Sequence, residues 1–418
     1  MLKLKYRAIA LAMTTTLIIG VQAMAAAPSN YCALNNTTGE ISGKNIDTKY
    51  NLASVSKVFT TYWATKAKGL DYRYPTQIYL TNLGQDLYDV HLRGSVYPYF
   101  DRSMLYFLIS ELNKRGVKKI NNLTYDENFE YATAVRNNKD LAHSNGSQTE
   151  TEIMRALRHD VTSLPKGYKI FVKKAKAVVD VDLVPTAYLK VDDIHAQSMQ
   201  VFNQTTTTSN FTLYSSPMHR ILKEMNRNSH NFAADKIYEV LSRTGTFKNF
   251  MTKNLNISEN EFSFYNGSGY PEMISGQKAY NKSTCRVVAT MTQDLYKISA
   301  AQGYGLRYVL PVAGRDADLD GDSTVSNLYS NQMTNGSLVG KTGTIDNTIA
   351  LGGAMLTSEG LIFFHIGVKN NNSYQDRQNS YGVIRSFLTT AIKQHGGKDT
   401  INDYQPTPFV PFYEQSVK

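Results

Sequence analysis

Apolar residues recur along this chain at two spacings, and the alternation between them lays out the elements. Val55, Val58, Phe59, Tyr62 and Trp63 fall at helical spacing, which predicts a helix starting at or just after Ser54. Before it, residues 31–34 and 40–41 flank Asn36-Thr37-Thr38-Gly39, the signal of a hairpin. Met104, Leu105, Phe107, Leu108 and Leu112 predict an amphipathic helix that stops before Gly116. Residues 117–125 read as a strand, and the alternating run 169–183 as a further strand. The polar stretch 137–148 reads as loop. Phe232, Ala233, Ile237, Tyr238, Val240 and Leu241 give another helix. The apolar runs 350–355 and 361–368, joined by Thr357-Ser358-Glu359-Gly360, form a second hairpin. Val383, Ile384, Phe387, Leu388, Ala391 and Ile392 make an amphipathic helix ended by Gly396-Gly397. The tail, with Pro406, Pro408 and Pro411, reads as extended along the surface, and there is no internal repeat.

The texture divides the chain. Residues 79–203 mix basic and apolar segments and read as an inserted domain, leaving 26–78 and 204–418 as the main one. Residues 1–25 are not part of the fold. Lys3, Lys5 and Arg7 precede the mostly apolar 8–21, and Ala23-Met24-Ala25 is a small-x-small site, the pattern of a signal peptide cut near Ala26. The apolar stretch is short for a membrane span, no later run reaches the roughly 18 residues a span needs, and no lipobox precedes Cys32.

Some 390 residues remain, enough for two domains. Loss of the three basic residues takes the net charge from +10 to +7. An exported basic surface suits peripheral contact with anionic cell-wall polymers or lipid headgroups, with solubility alone as the plain alternative. Nothing resembles a nucleic-acid motif. Cys32 and Cys285 are the only cysteines; they form one disulfide or stay as two buried thiols, and sequence separation alone does not choose.

Three short motifs carry chemistry. Ser54-Val55-Ser56-Lys57 puts a hydroxyl and an amine one helical turn apart. Ser229-His230-Asn231 opens a predicted helix, and Lys341-Thr342-Gly343-Thr344 has the look of a strand. A serine hydroxyl becomes a nucleophile when a base lies in hydrogen-bond reach and a site exists for the oxyanion it creates. A lysine serves as base only when neutral, and burial beside a second cation such as Lys341 drives it that way.

Each motif has rivals. Ser-x-x-Lys recurs at Ser163 and Ser275, but Pro165 after the first and Gly276 after the second argue against the helix the pair needs. Ser258-Glu259-Asn260 competes with Ser229, which is preferred because it begins an amphipathic helix after Met225-Asn226. Lys-Thr-Gly occurs once. A P-loop reading of 336–342 fails because Asn335 stands where glycine is required. Asp316, Asp318, Asp320, Gly321 and Asp322 resemble the start of a calcium loop, but its last ligand position falls on Asn327, which does not clamp bidentately; a solvated acidic loop is the better reading. The eight histidines show no zinc spacing. No metal or cofactor is expected.

Ser-x-x-Lys, Ser-x-Asn and Lys-Thr-Gly in this order form the motif set of penicillin-acylated serine enzymes. The chain resembles the low-molecular-mass class C penicillin-binding proteins, the type 4 D-alanyl-D-alanine carboxypeptidases and endopeptidases. The likeness includes residues 53–61, Met225-Asn226-Arg227-Asn228-Ser229-His230-Asn231, Leu310-Pro311-Val312-Ala313-Gly314, Asn266-Gly267-Ser268-Gly269, and the stretch from Leu92-Arg93-Gly94-Ser95 through Leu112 to Ile120. It departs at His230 and Asn266, where the family usually has aspartate. The interval from Ser54 to Ser229, 175 residues, is short for the family and implies a reduced accessory region.

The resemblance implies an α+β fold: a β-lactamase-like, penicillin-recognising domain, an antiparallel sheet flanked by helices, with an inserted α/β accessory domain. It implies a periplasmic DD-peptidase acting on peptidoglycan peptides and inhibited by β-lactams. Ser54 would attack the carbonyl, Lys57 activate it, and Ser229 relay a proton to the leaving amine. Asn231 would hold the substrate amide. Lys341 would support the proton network and bind the terminal carboxylate with Thr342 and Thr344, beside Gly343. The N–H groups of Ser54 and Thr344 would form the oxyanion hole. A β-lactamase and a non-catalytic cell-wall binding protein of the same fold are the alternatives. Rapid turnover of penicillin distinguishes the first; the intact nucleophile and base argue against the second.

Overall fold

The computed structural model describes residues 28–132, 149–316 and 323–417. The expected signal peptide, the loop at 137–148 and most of the acidic loop at 317–322 lie outside these residues.

The chain opens with the expected hairpin, β1 (Pro28–Asn35) and β2 (Ile41–Lys44). A 3-10 turn, Ala53–Val55, leads into α1 (Ser56–Lys68). Next come β3 (Pro75–Gly84), β4 (Leu87–Arg93), α2 (Arg102–Lys114) and β5 (Lys119–Tyr125). The side chain of Asp101 caps α2 by accepting from the N–H groups of Ser103 and Met104, and Gly116 follows its end with φ +81°. After the undescribed segment come α3 (Glu150–Thr162), α4 (Leu164–Lys176), β6 (Lys190–Ala196) and β7 (Thr208–Ser215). The second half holds α5 (Met218–Arg227), α6 (Asn231–Ser242), α7 (Phe247–Leu255), α8 (Cys285–Ala301) and α9 (Thr324–Tyr329). It closes with β8 (Leu338–Ile345), β9 (Thr348–Thr357), β10 (Gly360–Lys369), α10 (Tyr374–Gln394) and β11 (Phe412–Val417).

Two sheets organise these elements. One is antiparallel, in the order β8-β9-β10-β1-β2. Helix α8 packs on β1, β9 and β10, with α1 against α8, and α10 covers a second apolar cluster that includes Leu351, Ile366, Ile384 and Leu388. This is the expected antiparallel sheet flanked by helices. Helix α1 is buried from Ser56 to Thr65, so its threonines are enclosed along with its apolar stripe. A helix buried all round sits at the centre of a domain, and α1 packs against α5, α6 and α8.

The second sheet runs β11-β7-β3-β4-β5-β6, with β4, β5 and β6 parallel. Its strands begin at Pro75 and return at Ser215, so it extends past both edges of the 79–203 block and recruits the C-terminal strand.

Three expectations are corrected here. The run 169–183 is not a strand: residues 164–176 form α4. Leu164, Tyr168, Phe171 and Ala175 are its buried positions, and they recur with the helical period, not with period two. Pro165 does not prevent that helix, because it sits in the first turn, where no N–H partner is required. Ser163-x-x-Lys166 therefore is at a helix start, and it fails as a site because Lys166 is exposed. The tail does not simply lie on the surface. Ser216 Oγ donates to Val410 O (2.6 Å), Tyr97 OH donates to Pro411 O (2.7 Å), and Phe412 is buried against Phe107.

Cys32 and Cys285 form a disulfide with Cα atoms 5.9 Å apart, fastening β1 to the first turn of α8.

Candidate functional site

The turn 53–55 stands where α1, α6 and β8 converge. Ala53 adopts φ +48°, a conformation costly for a residue with a Cβ, immediately before Ser54. Gly343 explains why no side chain fits the facing strand. A Cβ there would come within 2.5 Å of Leu52 O and 3.3 Å of Ser54 N. Glycine thus allows β8 to lie directly against the backbone that carries Ser54.

Lys57 is fully buried, and its ammonium has three acceptors: Ser54 Oγ at 3.0 Å, Asn231 Oδ1 at 2.6 Å and Ser268 O at 3.0 Å. Burial lowers its pKa to about 7, against an opposing pull from the Asp235 charge. Lys341 is fully buried as well and donates to Thr342 O at 2.9 Å and Thr342 Oγ1 at 3.4 Å. Burial first, and then the charge of Lys57, push Lys341 well below the ordinary lysine range. Thr342 Oγ1 reaches Thr324 Oγ1 at 2.9 Å, and Thr344 is exposed at the mouth of the strand.

Ser229 is half-buried, with φ +56°, in the reversal between α5 and α6, two residues before Asn231. The reversal is anchored by Asn226, whose Nδ2 donates to Thr61 Oγ1 (2.8 Å), Leu222 O (3.0 Å) and Val309 O (2.9 Å). His230 caps α6 through Nδ1, which accepts from the Ala233 N–H at 3.2 Å. Burial and the nearby Lys57 charge lower its pKa to about 4, so it is a neutral cap where aspartate would add a charge. Asn266 braces its own loop, where its Oδ1 accepts from Gly269 N (2.8 Å) and its Nδ2 donates to Tyr270 O (2.7 Å).

The structure therefore joins Ser54, Lys57 and Asn231 by direct hydrogen bonds and lays Gly343 on Ser54. Lys341 faces the cluster electrostatically, whereas Ser229 is tied to it only as the second residue before Asn231, and among the described residues its hydroxyl makes no hydrogen bond to the rest of the site. Strand β8 is a sheet edge. Its free side is bonded to Pro311 O only as far as the N–H of Gly340 (3.0 Å), and beyond that no strand pairs with it among the described residues.

Sequence reasoning missed Asp235. Its Oδ1 accepts from Ser268 N at 2.7 Å, and burial raises its pKa above the usual carboxylate range. The available signal was its i+4 spacing from Asn231 on a helix. Asp316, the first residue of the suspected calcium loop, is engaged elsewhere: it accepts from Lys223 Nζ (2.6 Å), Val312 N (2.6 Å) and Tyr404 OH (2.7 Å). No cluster suited to a metal occurs among the described residues.

Comparison with known proteins gives a consistent result. The D-Ala-D-Ala carboxypeptidase 3 (S13) family pattern matches residues 28–168 and 191–391. A predatory peptidoglycan endopeptidase of Bdellovibrio bacteriovorus superposes with a TM-score of 0.84 at 31% identity, covering 94% of this chain and 99% of that one. Its penicillin G-acylated form, solved with an immunity protein, gives 0.83 at 31% identity, covering 94% and 98%. Penicillin-binding protein 4 of Haemophilus influenzae shares the fold, with a TM-score of 0.59 at 15% identity over 87% of this chain and 96% of that one. No curated protein matches the chain by sequence.

Proposed function

Because this chain belongs to the D-Ala-D-Ala carboxypeptidase 3 (S13) family of serine DD-peptidases, we propose that it cleaves peptidoglycan peptides through an acyl-enzyme on Ser54. One observation carries the assignment of the nucleophile. Ser54 Oγ lies 3.0 Å from a buried lysine whose pKa has fallen to about 7, so an amine able to take a proton near neutrality already touches the hydroxyl.

The proposed steps use these residues as follows. Ser54 Oγ attacks the carbonyl carbon and its proton passes to Lys57. The tetrahedral oxyanion forms against the N–H groups of Ser54 and Thr344. Collapse breaks the C–N bond, and the proton held by Lys57 passes through Ser229 to the leaving amine, with Lys341 supporting the network. Water then attacks the ester, releasing the acyl product and restoring Ser54. Asn231 orients the substrate amide, and Lys341, Thr342 and Thr344 face a carboxylate on the leaving side. The open edge of β8 suits an extended peptide, which adds to a sheet edge through main-chain hydrogen bonds.

The relatives near 31% identity are named endopeptidases, which supports cross-link cleavage over trimming of terminal D-alanine. β-Lactams are expected to acylate the same serine, as penicillin G does in the relative. The periplasm is the proposed location, with the signal removed near Ala26. The Cys32–Cys285 disulfide supports an oxidising compartment, and no helix among the described residues is long and apolar enough to cross a membrane. The basic surface favours peripheral contact with the anionic wall or membrane. The six-stranded sheet supports an accessory domain inserted in the DD-peptidase domain, with limits nearer 75 and 215 than 79 and 203.

The test is hydrolysis of a D-Ala-D-Ala peptide and of a cross-linked muropeptide by the mature protein and its Ser54→Ala variant. Release of D-alanine or separation of the cross-link, lost in the variant, is the expected result. Undiminished hydrolysis by the variant would reject Ser54 as nucleophile.

A further inference from the structure

We propose that Asp235 is a positioning residue for acylation: it holds the Ser268 peptide so that its carbonyl caps Lys57, and it supplies the cluster's negative charge one peptide away from that amine. The inference rests on the DD-peptidase reading above.

The geometry is a relay. Asp235 lies one turn after Asn231 on α6, so both side chains address the same cluster. Asn231 Oδ1 accepts from Lys57 directly at 2.6 Å. Asp235 Oδ1 instead accepts from the N–H of Ser268 at 2.7 Å, and the carbonyl of Ser268 accepts from Lys57 at 3.0 Å. Helix α6 thus grips the lysine twice, once by a side chain and once through a peptide unit.

That peptide unit is wedged in place. A Cβ on Gly267 would come within 2.2 Å of Ala234 O, and one on Gly269 within 2.0 Å of Ala53 O. Thr60 Oγ1 donates to Gly267 O at 2.9 Å. The loop therefore fills the gap between α6 and the turn bearing Ser54, and Asp235 fixes its orientation.

Charge at one remove has a chemical consequence. A carboxylate in direct contact with Lys57 would hold it as ammonium and deprive Ser54 of a base. Neutral oxygens at the amine, with the carboxylate beyond them, keep it located yet able to titrate. The charged and titratable groups around Asp235 are Lys57 from α1, Glu272 from the hairpin 272–279, and Tyr238 on α6 itself. Lys341 from β8 and the neutral His230 face Lys57. Asp235 also lines a cavity of about 330 Å³ shared with Asn231, Tyr265, Tyr270 and Glu272, so its charge borders the space beside the reacting centre.

Two variants separate position from charge. Asp235→Asn keeps an acceptor for the Ser268 N–H and removes the charge; Asp235→Ala removes both. The rate constant for acylation by a penicillin is measured from pH 5 to pH 9 by intact mass, with thermal unfolding as the check on folding. Without the negative charge Lys57 loses its proton more readily. The acid limb for Asp235→Asn should move to lower pH by about half a unit or more, its plateau falling by less than about tenfold. For Asp235→Ala the plateau should fall about 100-fold, because the carbonyl cap is released. If Asp235→Ala does not fold, the Asp235→Asn profile decides alone. An acid limb at the wild-type position in Asp235→Asn overturns the proposal, whatever the plateau does. A wild type that no penicillin acylates at any pH overturns the DD-peptidase reading itself, and this proposal with it.

Discussion

Two enclosed lysines in this molecule, Lys57 fully buried and Lys223 with about 14% of its side chain exposed, have opposite surroundings. Lys223 meets a carboxylate directly, Asp316 at 2.6 Å, with the carbonyls of Arg307 (2.8 Å) and Leu310 (2.7 Å) completing its shell. Lys57 meets three neutral oxygens, one of them the hydroxyl of Ser54. Burial depresses both, Lys223 to about 8 and Lys57 to about 7, while their respective aspartates pull upward. The first arrangement is a clasp: it joins α5 to the segment 307–316 and, through Tyr404, to the tail. The second keeps an amine in a dry place without a permanent counter-ion in contact. Burial alone does not mark a functional lysine; the identity of the touching oxygen does.

Replacing each lysine by a similar apolar chain should break the two regions differently. Lys57→Met should fold and lose acylation by about 10³-fold or more, since nucleophile and base act as a unit. Rapid-quench mass measurements of the penicillin adduct check this, and near-normal rates would end the case for Lys57 as base.

The disulfide touches neither lysine and serves as a control on stability alone. Closing a loop across 253 residues constrains the unfolded chain by about 5 kcal/mol in the chain-entropy picture. Cys32→Ser with Cys285→Ser should lower Tm by about 5 °C or more while leaving the acylation rate of folded protein unchanged. Calorimetry alongside the mass assay reads both.

Lys223→Met should do the reverse of Lys57→Met. It strands the Asp316 carboxylate in the interior, a loss of about 3–5 kcal/mol for a broken buried pair, and the folded fraction should acylate at close to the normal rate. Adding Asp316→Leu removes the stranded charge and should restore part of the stability. Denaturant melts of the single and double variants measure that recovery; a double variant no better than the single would contradict the clasp.

The smallest change needs no mutation. Acylation should rise with pH and level off above about pH 7, as Lys57 becomes neutral, with a slope shallower than tenfold per unit below about pH 6, where Asp235 takes up a proton and its pull on Lys57 is lost. His230 does not produce this limb, because its pKa of about 4 leaves it uncharged throughout the range.

The three motifs and most of the main sheet were legible because their information is local. Ser54 and Lys57 are one turn apart, and the runs that became β9 and β10 are adjacent apolar segments. What sequence hid was set by distant partners. Asp235 acquires its place from Ser268, a contact between two segments that spacing does not connect. Residues 164–176 carried a helical repeat whose buried positions were masked by lysines between them. The tail became a strand only because β7 offered it an edge. The two cysteines remained undecided until β1 and α8 fixed their separation. Asp316, read as part of a solvated acidic loop, is instead buried, because its carboxylate accepts from Lys223, Val312 and Tyr404.

The central claim is that Ser54, activated by Lys57, is acylated. The mature protein should be incubated with a fluorescent penicillin and followed by intact mass, with peptide mapping of the labelled form. The account predicts one adduct per chain, on Ser54, absent in Ser54→Ala and at least about 10³-fold slower in Lys57→Met. No adduct and no drug hydrolysis by wild type, or an adduct that persists in Ser54→Ala, would contradict it.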